Sequence, residues 1–299
     1  MTKTTPIYVL RTINAPIDKV WQYTQEPSLH EQWDVRFSRI TYDDVQQGTR
    51  QTFTYERRIS PFFTVRGTGE TKGTHEKKTG EKTSSLQFGT DHPLSPIVQG
   101  SGYWQYIPRA NETVFLTQYD YTPRFGRLID ALFRPVLGWA TALSFDVLAR
   151  WLEQGERPAM QYRRFFSYWL LMLCFCFVWL YQGIVPKLIG QHPLEIDMLV
   201  ALSPLSVPAA ITAIQWVGLL EVIIALLFIV RRCQRLLLIG QIVLFPVLTI
   251  SAIVAAPHVA TDPFNVVAFN VALWCMSIVA FLLQKDCPTA STCQRKRGN

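Results

Sequence analysis

The chain has 299 residues, 49% of them hydrophobic and 17% charged, with a formal net charge of +7 and six cysteines. That length holds two units with separate cores. The basic excess comes with no recognition motif and clusters at the ends of apolar segments, which argues against a nucleic-acid partner; cysteines that all lie at or beyond position 174 and form no CxxC pair argue against a disulfide framework or a metal site.

Met1–Pro6 is polar and lacks a basic n-region and an apolar h-region, so no signal peptide is expected. Residues 7–13 read as a strand. Asn14-Ala-Pro16-Ile-Asp18 then starts a helix, with proline in its first turn and an acid near its N-terminus. After the segment from Gln25 to Asp34, strands are expected at 35–43, 51–60, 63–75, 81–89, 99–108 and 112–121, with turns at Gly48, Gly80 and Asn111. Arg124–Gln154 reads as a long helix with Trp139, Leu143, Val147 and Trp151 at four-residue spacing. A strand, a helical segment, six more strands and a long helix describe an α+β helix-grip domain over 1–157, an antiparallel sheet around a long C-terminal helix.

Beyond Arg164 four apolar stretches of about 20 residues follow, each long enough to cross a bilayer as a helix. They run from Phe165 to Val185, Ala209 to Val230, Leu236 to Ala256 and Phe264 to Leu283, an all-α four-helix transmembrane bundle over 158–284 before a basic tail, 285–299. Arg150, Arg157, Arg163 and Arg164, then Arg231, Arg232 and Arg235, then Lys285, Arg295, Lys296 and Arg297 fall on one side, against Lys187, His258 and Asp262 on the other. The positive-inside rule then makes both termini cytoplasmic in a multi-pass protein of the cell (inner) membrane.

Glu221 is the first candidate within the spans, because a carboxylate there costs about 2.5–3.5 kcal/mol on the translocon scale unless paired, neutralised or turned inward. Gly218, Glu221 and Ala225 share a face that lets a neighbouring helix approach. A protonated acid bonded to a helix neighbour is the structural alternative. Gln182, Gln215, Gln241 and Asn270 are further intramembrane polar candidates, equally suited to interhelical hydrogen bonding, and Pro246 predicts a kink.

The opening Asn14–Trp21, with Thr24-Gln-Glu-Pro-Ser-Leu-His-Glu-Gln-Trp-Asp-Val-Arg-Phe37, Gly102-Tyr-Trp-Gln-Tyr106 and Phe133-Arg-Pro-Val-Leu-Gly-Trp-Ala-Thr141, resembles the START-like (SRPBCC, polyketide-cyclase-like) superfamily, in the form fused to a DoxX-like membrane domain. Trp179-Leu-Tyr-Gln-Gly-Ile-Val-Pro-Lys187, His192-Pro-Leu-Glu195 and Gly218-Leu-Leu-Glu221 resemble the DoxX-like pattern, which has histidine in many relatives where Gln182 stands here. The resemblance implies a hydrophobic small molecule, of lipid or quinone class, held between sheet and long helix. Trp33, Tyr55, Trp104 and Tyr106 are the aromatic candidates for that site and serve equally as core. Asp34 and Arg36, near His30, are the candidates for a polar head group, since an arginine fork suits a carboxylate or phosphate; a surface ion pair is the alternative.

No catalytic set stands out: there is no nucleophile elbow, HExxH, P-loop or dinucleotide fingerprint. No cofactor is evident, although the DoxX resemblance leaves a quinone open. Expected partners are membrane lipid and a hydrophobic molecule, with a homo-oligomer or redox partner left open. The leading expectation is a membrane-anchored binding protein, followed by the membrane subunit of a quinone-linked oxidoreductase and then a small-solute transport or assembly factor.

Overall fold

The computed structural model describes residues 5–43 and 50–297, so the turn expected at Gly48 lies outside the described residues. The chain divides into two units, one of residues 1–162 with 288–299 and one of residues 163–287.

In the first unit seven strands form one antiparallel sheet: β1 (Ile7–Ile13), β2 (Arg39–Tyr42), β3 (Thr52–Ser60), β4 (Phe63–Glu76), β5 (Lys82–Gly89), β6 (Ile97–Arg109) and β7 (Glu112–Pro123), in the order β1-β7-β6-β5-β4-β3-β2. Between β1 and β2, at opposite edges, the chain crosses through α1 (Ile17–Gln25) and α2 (Pro27–Trp33). Register breaks in the β3–β4, β4–β5 and β6–β7 pairs add local twist. At the β4–β5 turn Gly80 takes a φ of +79°, a conformation glycine adopts without steric cost.

The sheet wraps α3 (Gly126–Gln154), which ends at Gly155 in the left-handed conformation with its N–H on Trp151 O at 3.0 Å. Leu143 and Val147 of the expected stripe are buried, but Trp139 is 38% exposed, and every residue from Thr141 to Ala149 is buried. A stripe alone does not bury a helix on all sides. The other face is covered by Gln161, which donates to Val147 O at 3.1 Å, and by residues 288–297. Those residues, read from sequence as part of a separate tail, pack on α3 and β1. Gln294 pairs with Leu10 through two 2.9 Å hydrogen bonds, covering the edge of β1. Asp146, fully buried, accepts from Thr289 N (2.9 Å) and Thr292 Oγ1 (2.7 Å) and pairs with Arg11 (3.3 Å) and Arg150 (3.1 Å).

The second unit contains α4 (Pro158–Gln182), which enters it at Arg163 and continues as a π-helix over Gly183–Ile189, then α5 (Pro193–Leu202), α6 (Val207–Leu227), α7 (Arg231–Ala255) and α8 (Val266–Gln284). The four long helices match the four expected spans; α5 was not anticipated. α3 also meets the length and composition of a span, making five such helices among the described residues, but its second half is the core of the grip. Outward apolar side chains such as Leu170, Phe177, Leu236, Val243 and Leu282 suit a lipid environment. One polar layer inside is fully paired: Tyr168 OH donates to Gln234 Oε1 (2.7 Å), Gln234 Nε2 to Phe228 O (2.7 Å) and Gln284 Nε2 to Tyr168 OH (3.0 Å). The α7 helix runs through Pro246.

Candidate functional site

The concave face of the sheet is shaped by cross-strand pairs of an aromatic residue with a glycine. Phe53 faces Gly69, Tyr55 faces Gly67, Phe88 faces Gly100 and Tyr119 faces Gly102. A Cβ on Gly69 would lie 2.1 Å from the Phe53 ring, and one on Gly67 2.3 Å from the Tyr55 ring. The Phe53, Tyr55 and Phe88 rings therefore lie flat against the sheet, in space that only glycine leaves, and do not stand up into the concavity. Next to them an open groove of about 920 Å³ is lined by Phe53, Gly67, Gly69, Phe88, Gly89 and His92 among others.

Deeper in, the face is filled. Trp33, Trp104, Tyr106, Phe115 and Phe145 pack ring against ring, with Phe115–Phe145 centroids 4.3 Å apart and Tyr106–Phe115 4.9 Å apart. Tyr106 is fully buried, with its hydroxyl 2.7 Å from Thr24 Oγ1 and 3.0 Å from Gln25 Nε2. Three of the aromatic candidates, Trp33, Trp104 and Tyr106, thus sit together in the packed core; the fourth, Tyr55, lies apart on β3 and donates to Gly89 O at 3.2 Å. Burial pushes the Tyr55 hydroxyl up to about 12, so it stays protonated at neutral pH.

Beside the aromatic core, at the end of α2, lies a charged network. Asp34 follows the last turn of α2 and its side chain is fully buried. Arg36 donates to it side-on, Nε to Oδ1 at 2.8 Å and Nη2 to Oδ2 at 2.6 Å, and the Arg36 backbone N–H adds a third bond at 3.1 Å. His30 Nε2 lies 3.2 Å from Oδ2, and Ser144 Oγ donates to Oδ1 at 3.4 Å. Burial by itself raises the Asp34 pKa, but the Arg36 guanidinium beside it, helped by His30, holds it well below the usual carboxylate range. An ionised carboxylate only accepts, so the His30 Nε2 carries the proton toward it. The guanidinium stacks near Phe37 and Tyr119, 5.6 Å from each ring centroid. Asp34 occupies one edge of its fork; Nη1 is not engaged by the carboxylate.

Among the intramembrane candidates, Gln241 is buried and accepts from Ser277 Oγ at 3.2 Å, Asn270 is buried on α8 and Gln215 is half-buried on α6. Glu221 pairs with Lys187, 3.1 Å away. Lys187, expected in a loop, sits within the π-helical end of α4. Sequence reading also missed Asp146 and the docking of residues 288–297, whose only signal was a lone acid inside an otherwise apolar stretch of α3.

A DoxX-like family model matches residues 176–278. The uncharacterized membrane protein YndG of Bacillus subtilis is 50% identical over 183 residues, 60% of this chain and 68% of that protein. The chain belongs to the YndG family. It joins a helix-grip unit to a unit of apolar helices that carries the DoxX-like match. Among solved structures, the STAR-related lipid transfer protein of Xanthomonas axonopodis covers 48% of this chain and 84% of its own, at 15% identity and a TM-score of 0.39. Human StAR-related lipid transfer protein 5 covers 49% and 74%, at 14% identity and a TM-score of 0.39.

Proposed function

We propose that this protein holds a hydrophobic small molecule with a polar, acceptor-bearing head group in its helix-grip unit, which lies with both chain termini on the cytoplasmic side of the cell membrane. The observation that carries this reading is the groove beside the aromatic rings laid over glycines. Such an arrangement gives up side-chain volume on the concave face, which a unit built for stability alone would fill. Arg36 supplies the polar end: Asp34 fixes and orients the guanidinium, and the Tyr119 hydroxyl, which shares a hydrogen bond with it, adds a second polar group there. The apolar helices of the second unit keep the binding unit at the surface from which such a molecule would come. The arginine content of the first, third and last flanking segments supports the orientation.

The test is mass spectrometry of organic extracts from full-length protein purified from native membranes in mild detergent. An Asp34→Asn/Arg36→Met double variant, which keeps the packing and loses the fork, is the comparison. A stoichiometric amphipathic molecule present in the wild type and absent from the variant is expected. A wild type that is empty, or a molecule held equally by both, would overturn the reading.

A further inference from the structure

Three stretches of the second unit end on charged residues that ligand binding in the grip leaves unused: 179–187, 192–195 and 218–221. In the fold these charges converge. Lys187 Nζ lies 3.1 Å from Glu221 Oε2 and 3.4 Å from Glu195 Oε2.

The convergence has a backbone cause. The end of α4 becomes π-helical over Gly183–Ile189, with Pro186 inside it, and π-helical turns are rare enough in α-helices to mark sites where side-chain placement matters. A Cβ on Gly183 would fall 2.6 Å from Gly218 O; one on Gly218 would fall 2.9 Å from both Gly183 O and Lys187 Cβ. Only glycine at both positions lets the two backbones come this close, and that approach carries Lys187 onto the α6 turn that holds Glu221. The first turn of α5 brings Glu195 to the same ammonium.

The charges do not balance. Lys187 from the π-helical segment and Glu195 from α5 face Glu221; α6 has no other charged residue, α8 has none, and those of α7, Arg231, Arg232 and Arg235, lie in its first turns. His192 and Asp197, flanking Glu195, are exposed. Two carboxylates against one ammonium leave one negative charge (2 − 1 = 1) in surroundings where an unpaired ion costs several kcal/mol. Lys187 Nζ donates to Gln182 O and to Glu195 Oε1, each at 3.4 Å, and holds the buried Glu221 Oε2 as an ion pair at 3.1 Å, so one ammonium is shared between two carboxyl groups. Glu195 is 30% exposed and Glu221 only 13%.

We propose that Lys187, Glu195 and Glu221 form a site for one exchangeable proton within the membrane unit. Glu195 exchanges it with the aqueous phase, Glu221 stores it, and the Lys187 ammonium couples the two carboxyl groups. On release a carboxyl O–H bond breaks, the proton passes to water, and the site goes from neutral to one negative charge; uptake reverses this, with no change of oxidation state.

The test is infrared difference spectroscopy of the full-length protein in lipid nanodiscs over a pH titration, counting protonated carboxyl groups against a Glu195→Gln/Glu221→Gln double variant. The wild type should show one titrating carboxyl per chain. Glu195→Gln and Glu221→Gln should each reduce it to none, because one acid then meets one ammonium, and Lys187→Met should raise it to two. Glu195→Gln alters a partly exposed side chain, so it decides the matter even where Glu221→Gln fails to assemble. A wild type indistinguishable from the double variant would overturn the proposal, as would a band that sodium displaces at constant pH.

Discussion

Replacing Arg36 by methionine removes the guanidinium and keeps most of the side-chain volume, leaving Asp34 buried without its main counter-charge. Breaking a buried ion pair from one side costs about 3–5 kcal/mol. Asp34 keeps its bonds from the Arg36 backbone N–H, His30 and Ser144 and loses the two from the guanidinium, so the lower end, about 3 kcal/mol, is expected. At roughly 2–4 °C per kcal/mol for a domain of this size, the midpoint falls by about 6–12 °C. The Asp34→Asn/Arg36→Met double variant removes both charges and should recover to within about 1.5 kcal/mol of wild type, since a buried pair exchanged for neutral groups is often near neutral. The assay is thermal unfolding of the full chain in detergent, followed by near-UV circular dichroism, which reports the packed aromatic cluster. A single variant as stable as wild type, or a double variant no better than the single, would refute the view that this pair is buried and mutually dependent.

Three further outcomes follow from the same geometry. The Asp34 pKa is lowered by folding, so its contribution is complete above the unfolded value of about 4 and is lost as pH falls below it; the stability difference between wild type and the neutral double variant should be flat above about pH 5 and change only on the acid side. In Gly102→Ala the new methyl would meet Tyr119 Cβ at 2.3 Å and Gln118 O at 2.7 Å, atoms that cannot swing away; a loss of about 3 kcal/mol is expected, and a melting curve unchanged from wild type would contradict the close approach of β7 to Gly102. Thr292→Val removes a hydrogen bond to the buried Asp146 carboxylate and should cost about 1.5 kcal/mol, with faster hydrogen exchange at Leu10 and Gln294; unaltered exchange there would show that the tail is held by other contacts.

Much of the architecture was legible because its signals are local. Alternation placed the strands within a few residues of their observed bounds. The four apolar stretches stood out because a bilayer demands about 20 uninterrupted apolar residues. The polar residues of the site were harder to weigh: Asp34 and Arg36 are two positions apart, and whether they make a solvated surface pair or a buried fork depends on what α2 packs against.

The amino-acid sequence by itself determined the division into a grip unit and an apolar helical unit, the strand order in time along the chain and the existence of a buried acid in the second span. Only the tertiary structure decided which charges meet. Lys187, Glu195 and Glu221 are separated by up to 34 positions and come together through a π-helical turn and a glycine-to-glycine contact, neither of which has a periodic signature. Residues 288–297 return to the first unit for the same reason: pairing with β1 and with Asp146 is set by the free edge and the unfilled face that the folded grip presents, and a sheet edge exists only once the sheet has formed.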